Sequence, residues 1–166
     1  MQQGEHDDSL YTPGLDRVDH GILQTLQAEG RISNQDLARR VHLSPAQSNR
    51  RHRRLEEGGY IKGYEARLNA ERLGLSVTAF VHVAMERGGQ LRGVQAFQDA
   101  VAHMPQVLEC YAVSGDFDYV CKVVARDLKG LSDFLMGTLA QLPGVSGVKS
   151  SICLHELKCT GALPLD

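Results

Sequence analysis

The amino-acid sequence predicts an α+β protein in two parts, three short helices followed by a βαββαβ domain, and three observations carry that reading. Apolar residues up to Leu55 recur at helical spacing, whereas those from Val77 onward alternate between strand-like and helix-like runs. The second half also repeats itself. Met104-Pro105-Gln106-Val107 and Leu142-Pro143-Gly144-Val145 each close a helix and open a strand, so two βαβ units stand in series in a ferredoxin-like arrangement.

Residues 1–14, MQQGEHDDSLYTPG, are polar and acidic with no apolar stretch, which predicts a disordered lead-in and no secretory signal. The first helix follows from Leu15, Val18, Ile22, Leu23 and Leu26, and Gly30 stops it. Ser33 caps a second helix, with Asp36 three residues later and Leu37, Ala38 and Val41 on its inner face. Ser44-Pro45-Ala46-Gln47 supplies an N-cap, a proline at the first helical position and a capping-box partner, so a third helix starts at Pro45 and runs to Gly58-Gly59. Residues 15–59 thus read as a helix-turn-helix, winged-helix-like domain, whose last helix is the one that enters a DNA major groove.

Residues 60–74 read as a linker, with a connecting strand over Tyr60 to Leu68 and a turn over Asn69 to Gly74. The second domain, 75–160, takes strands at Val77 to Met85, Val107 to Val113, Tyr119 to Ala125 and Val145 to Leu157. Leu91, Val94, Phe97, Val101 and Met104 mark one helix, and Leu128, Leu131, Leu135, Leu139 and Leu142 mark the other. Both faces of the first strand are largely apolar, which predicts helices on one side of the sheet and another chain on the other. Residues 161–166 are left as a tail.

Charge singles out the third helix. The net charge is −2, but between Arg31 and Arg54 seven arginines (31, 39, 40, 50, 51, 53 and 54) face a single acid, Asp36, the footprint of an element that meets polyphosphate. Gln47, Arg50, Arg51 and Arg54 lie at i, i+3, i+4 and i+7 and are placed on one face, with Ser48, His52 and Leu55 turned inward. Ser44, Gln47, Arg50, Arg51, Arg53 and Arg54 are therefore the candidate DNA contacts. The expected division of labour has an arginine reading a guanine edge while others hold phosphates.

Other chemistry is poorly supported. No apolar run approaches the roughly 18 residues of a membrane span, so a cytoplasmic protein is expected. Cysteines 110, 121, 153 and 159 form no C-x-x-C pair and are expected to be buried free thiols. The histidines include no pair three or four apart, so neither a metal nor any other cofactor is predicted. There is no G-x-S-x-G and no phosphate-binding glycine loop, and His155-Glu156-Leu157-Lys158-Cys159 lacks the second histidine of a zinc-protease motif.

From Leu15 to Lys158 the chain resembles the Lrp/AsnC family of leucine- and asparagine-responsive regulators. The resemblance is carried by LDRVDHGILQTLQAEGRISNQDLARRVHLSP, RRHRRLEEGGYIKGY, VLECYAVSGDFDYVCKV and LPGVSGVKSSICLHE, with the hairpin Gly115-Asp116-Phe117-Asp118-Tyr119. It implies a regulator that binds double-stranded DNA, forms homodimers assembling to an octamer, and takes an amino-acid-like effector between dimers. The effector is placed near Gly115, Asp116 and Asp118, with Ser150 and Ser151 contributing from a neighbouring chain. A carboxylate would accept from the effector's ammonium, and serine hydroxyls and backbone N–H groups would donate to its carboxylate. The chain departs from the family pattern at Ser48 and His52, where small apolar residues and a valine are usual, and at Val148, where a threonine is common. His52 is expected to hydrogen-bond a neighbour.

Two other readings share the scaffold. A siroheme-decarboxylase-like enzyme would need a tetrapyrrole pocket rather than a basic recognition helix, and a stand-alone amino-acid-sensing module would not be retained on DNA.

Overall fold

The computed structural model describes residues 14–86 and 91–165, and the expected lead-in over residues 1–14 falls, but for Gly14, outside them. These residues form two compact units: one takes residues 14–67 with 158–165, the other 68–86 with 91–157.

In the helical unit, α1 (Arg17–Ala28), α2 (Asn34–Arg40) and α3 (Pro45–Glu57) begin at side-chain caps. Asp16 accepts from the N–H groups of Val18 and Asp19, Ser33 from Asp36 and Ser44 from Gln47. Each cap satisfies N–H groups that a helix start leaves without partners, at a typical gain of ~1 kcal/mol. The core beneath them is small: Ile22, Leu23, Leu37 and Leu55, with Leu15, Val18, Leu26, Ile32, Val41, Ile61 and Leu165 against it. The chain end belongs to this unit, since Gln27 Nε2 donates to the Leu163 carbonyl at 3.1 Å and Leu165 packs on the core. Leu163 and Leu165, in the segment expected as a tail, are thereby held on the helical unit.

The second unit is a four-stranded antiparallel sheet of β1 (Val77–Met85), β2 (Val107–Ala112), β3 (Tyr119–Ala125) and β4 (Val145–Ile152), in the order β2-β3-β1-β4. Two helices, α4 (Leu91–Ala102) and α5 (Leu128–Gly137), supply the crossovers, which gives the ferredoxin-like βαββαβ order. Period-two burial places Ala79, Val81 and Val83 of β1 and Tyr119, Cys121, Val123 and Ala125 of β3 on one face. Phe97 and Val101 of α4 and Leu131, Phe134 and Leu135 of α5 cover that face. Phe97 and Tyr119 pack with their rings tilted by 37° at a 4.6 Å centroid separation. The opposite face carries Phe80 and Tyr111, 44% and 57% exposed, beside half-buried His82 and Val120.

Three expected elements differ. Tyr60 to Leu68 forms no strand, because no strand among the described residues of the unit offers it backbone partners. The last strand stops at Ile152 rather than Leu157: Ile152 pairs with Ala79, Cys153 N–H still reaches the Thr78 carbonyl at 2.8 Å, and β1 then runs out. The helix expected to reach Leu142 ends at Gly137, and a 3-10 turn over Leu139–Gln141 completes the run.

Gly144 shows why the two halves are not interchangeable. Its φ of +82° and the approach of Gly93, whose Cα would lie 3.2 Å from an added Cβ, leave room only for glycine. Gln106 occupies the equivalent place after Pro105.

Candidate nucleic-acid interface and hairpin site

The third helix is held in place at its start, along its inner face and across to α1. A reciprocal capping box joins Ser44 and Gln47: the Gln47 N–H donates to Ser44 Oγ at 3.3 Å and the Ser44 N–H to Gln47 Oε1 at 3.2 Å. Asn34 Nδ2 donates to the Pro45 carbonyl at 3.1 Å and ties the start of α2 to the start of α3. The turn between those helices passes through His42 at φ +55°, a left-handed conformation that costs a non-glycine residue roughly 1 kcal/mol or more. Ser48 and Leu55 are fully buried and His52 is half-buried, as their inward placement requires. His52 Nε2 meets the Tyr64 hydroxyl, which in turn donates to Glu56 Oε1 at 3.2 Å. Burial of the hydroxyl, and then the Glu56 carboxylate, push Tyr64 up to about 12.

The arginines separate into two groups. Arg51 Nη1 lies 2.6 Å from Asp16 Oδ2 and 2.9 Å from Asp19 Oδ1, and Arg54 binds the other oxygen of Asp19. The Asp19 side chain is 1% exposed. Arg39 pairs with Asp36, and Arg40 with Glu29 at 2.6 Å. Arg31, Arg50 and Arg53 are exposed and make no ion pair among the described residues. The sequence places Arg51 and Arg54 on the DNA-facing side, but both turn toward α1, because a buried carboxylate needs charged partners more than a solvated guanidinium needs water. With Ser48, Arg51, His52 and Leu55 turned inward, the helix presents Ala46, Asn49, Arg50 and Arg53 outward, flanked by Gln47. Asn49 was not among the sequence candidates, although its amide could pair with an adenine edge. Its signal was its position, three residues before His52 and one before Arg50.

Asp16 gives this network an acid limit. Burial pushes its carboxyl up, but the Asp19 N–H and Arg51 outweigh that and hold it below the usual carboxylate range. A lowered folded value stabilises above the unfolded value of 3.8 and is lost as pH falls through the folded one. Urea midpoints of the helical unit should therefore drop as pH passes below about 4, and Asp16→Asn should flatten that slope. An unchanged slope in the variant would assign the acid sensitivity elsewhere.

In the sheet unit the hairpin between β2 and β3 brings Gly115, Asp116 and Asp118 together. Gly115 has φ +128°, a conformation suited to glycine. Asp118 is a structural residue: its Oδ2 accepts from the Met85 N–H at 2.7 Å, its N–H donates to the Val83 carbonyl and its carbonyl accepts from Val113, each at 3.0 Å. Asp116 is exposed and its carboxylate has no partner among the described residues. Ser150 and Ser151 are exposed on the edge strand β4, opposite Val81 and Phe80. With β1 between β4 and β3 and the registers several residues apart, the chain does not bring these serines to its own hairpin.

Comparison with known proteins agrees with both units. Residues 15–62 match a model described as winged helix-turn-helix DNA-binding, and residues 78–163 one described as the Lrp/AsnC ligand binding domain. The chain is 43% identical over 153 residues to the Bkd operon transcriptional regulator of Pseudomonas aeruginosa, covering 91% of this chain and 98% of that protein. It is 41% identical over 158 residues to the leucine-responsive regulatory protein of Escherichia coli, covering 94% and 96%. Among solved structures, a transcriptional regulator from Neisseria meningitidis in complex with L-Met superposes with a TM-score of 0.88 at 37% identity, covering 92% of this chain and 97% of that one. An AsnC family regulator from Agrobacterium tumefaciens gives 0.85 at 32%, covering 91% and 97%. With a capped basic recognition helix and a ligand-binding sheet domain on one polypeptide, the chain belongs to the Lrp/AsnC family of transcriptional regulators.

Proposed function

We propose that the protein is a sequence-specific DNA-binding transcriptional regulator that responds to an amino acid and is not an enzyme. The observation that carries this reading is the outward face of α3, where Arg50 and Arg53 stand exposed and unpaired on a helix fixed at three points. Among the described residues Arg31, Arg50 and Arg53 are the basic segment's arginines without ion pairs, and Asn49 and Gln47 supply neutral base-reading groups beside them. Gln47 spends its side-chain oxygen on the cap, which leaves its amide N–H groups to donate.

Effector binding is proposed at the Gly115–Asp118 hairpin, with Asp116 as the acceptor for an ammonium group. Ser150 and Ser151 would complete the site from a second copy. The L-Met bound by the Neisseria relative supports an α-amino acid as the ligand class. The uncovered sheet face with Phe80 and Tyr111 supports a two-fold homodimer, which pairs recognition helices across half-sites, and octamers follow if dimers share effector sites. No helix among the described residues is long and apolar enough to cross a membrane, and a cytoplasmic location is the reading that fits a DNA ligand.

Thermal shift across the common amino acids, followed by light scattering of each hit, tests this reading. At millimolar ligand at least one amino acid should raise the melting temperature and change the assembly state, with a coupling of about 1–3 kcal/mol to operator affinity. Asp116→Ala should abolish the shift without lowering the melting temperature of the free protein. Asp118→Ala is the poorer probe, because it also strips the Met85 N–H of its acceptor. A hit unaffected by Asp116→Ala, or a monomer at micromolar concentration, would overturn the site or the assembly respectively.

A further inference from the structure

The sheet unit carries a pair of thiols that the effector site does not use. Cys110 of β2 and Cys121 of β3 are direct cross-strand partners, and their sulfurs lie 3.3 Å apart. Opposed residues of antiparallel strands have Cα atoms about 4.5–5.5 Å apart, inside the 4.4–6.8 Å span that a disulfide bridges. Rotation of the side chains alone would bring the sulfurs to bonding distance. Both thiols are free, as expected, but only Cys121 is buried; Cys110 is exposed.

We propose that Cys110 and Cys121 are a site of oxidative modification, a vicinal dithiol that a hydroperoxide converts into a cross-strand disulfide at the base of the Gly115–Asp118 hairpin. The two positions have different parts in the reaction. Solvent reaches Cys110, so its thiol releases a proton and the thiolate attacks the peroxide: an S–O bond forms, the O–O bond breaks, and the departing hydroxide takes up the released proton, leaving a sulfenic acid and one water. Cys121 then acts as the resolving thiol. Its sulfur attacks the Cys110 sulfur, the S–S bond forms as the S–O bond breaks, and the departing hydroxide leaves with the Cys121 proton as a second water. Two thiols and one hydrogen peroxide give one disulfide and two waters. Burial pushes the Cys121 thiol up to about 12, which keeps it protonated and unreactive toward oxidant until a sulfenic acid forms beside it.

The bridge would close a ring that contains Gly115, Asp116 and Asp118, so oxidation would clamp the strands that carry this hairpin. The chemistry does not depend on the hairpin's role in effector binding, and the two readings fail separately.

The test uses the full-length protein, reduced and then treated with one equivalent of hydrogen peroxide. Thiol titration should fall from four free cysteines to two, and a non-reducing digest should give one peptide pair joining Cys110 to Cys121 within a single chain. Dithiothreitol should restore all four thiols. In Cys121→Ala the reaction should stop at a Cys110 sulfenic acid that a cyclic 1,3-diketone traps, with far-UV circular dichroism confirming the fold. Consumption of Cys153 or Cys159 in preference, a bridge between two chains, Cys110 oxidised to sulfinic acid with Cys121 still free, or four thiols unchanged would each overturn the proposal. The peptide map of the unmutated protein decides the matter even if Cys121→Ala does not fold.

Discussion

Asp19→Ala should lower the melting temperature of the helical unit by more than about 10 °C, the largest stability effect of any single polar substitution outside the sheet domain. The Asp19 carboxylate is 1% exposed and serves three donors: Arg51, Arg54 and the Asp16 N–H, the last at 3.2 Å. Removing one partner of a buried ion pair costs roughly 3–5 kcal/mol, because the remaining charge loses its compensation. Here the lower end applies, since Arg51 and Arg54 keep 27% and 57% of their side-chain exposure and can turn to water. Loss of the capping-box acceptor adds ~1 kcal/mol. In a unit of this size each kcal/mol moves the midpoint by about 4–8 °C.

The double substitution Asp19→Ala with Arg51→Ala should cost less than the sum of the two single ones, because the pair is removed together. Circular dichroism melts of the three variants check both statements. A shift below about 3 °C for Asp19→Ala would mean that the network does not hold α3 to α1.

The fold was legible in the sequence because its elements are marked by local chemistry. Caps at Ser33 and Ser44 and the proline at the start of α3 each act within a few residues of where they stand, and the structure has all of them; of the two prolines expected to close helices, Pro105 follows α4 closely, whereas α5 stops at Gly137, ahead of Pro143. Strand ends were less legible. Whether Leu154 to Leu157 belongs to β4 depends on where β1 stops, which is a fact about another part of the chain. The same reason hid the pairing partners of the arginines. Counting charge within 31–54 found one acid, but Asp16, Asp19 and Glu29 lie outside that window and neutralise from α1 and the turn after it. A spacing rule places Arg51 and Arg54 on a common face; it cannot say that a buried carboxylate, 32 residues before one and 35 before the other, will claim both. The signal that was available is LDRVD itself, two acids three apart at a helix start, one of which must face the core when Val18 and Ile22 do.

That division of the arginines decides which substitutions should abolish DNA binding. Among the described residues Arg50 and Arg53 are the pair exposed on the outward face of α3 and free of ion pairs, so they meet a groove without first breaking any of the described interactions. Arg51 would have to leave Asp16 and Asp19, whose two hydrogen bonds raise its already high guanidinium value. An arginine that reads a guanine edge is worth roughly 1–3 kcal/mol, and one that holds a phosphate contributes a salt-dependent share. Arg50→Ala with Arg53→Ala should therefore weaken binding to a duplex selected from a random pool by about thirtyfold or more, at unchanged thermal stability. The slope of log affinity against log salt should also become shallower, by about one for each phosphate that a protomer no longer holds. Arg51→Ala should behave in the opposite order, losing stability first and affinity only as the fold loosens. Fluorescence anisotropy across a salt series, run well below each variant's melting temperature, separates the two. If the Arg50 and Arg53 double variant binds the selected duplex with unaltered affinity and salt slope, the outward face of α3 is not the DNA-reading surface. If Arg51→Ala alone loses binding while its melting curve stays in place, Arg51 exchanges Asp19 for DNA on binding, and the ion-pair network is a latch rather than a strut.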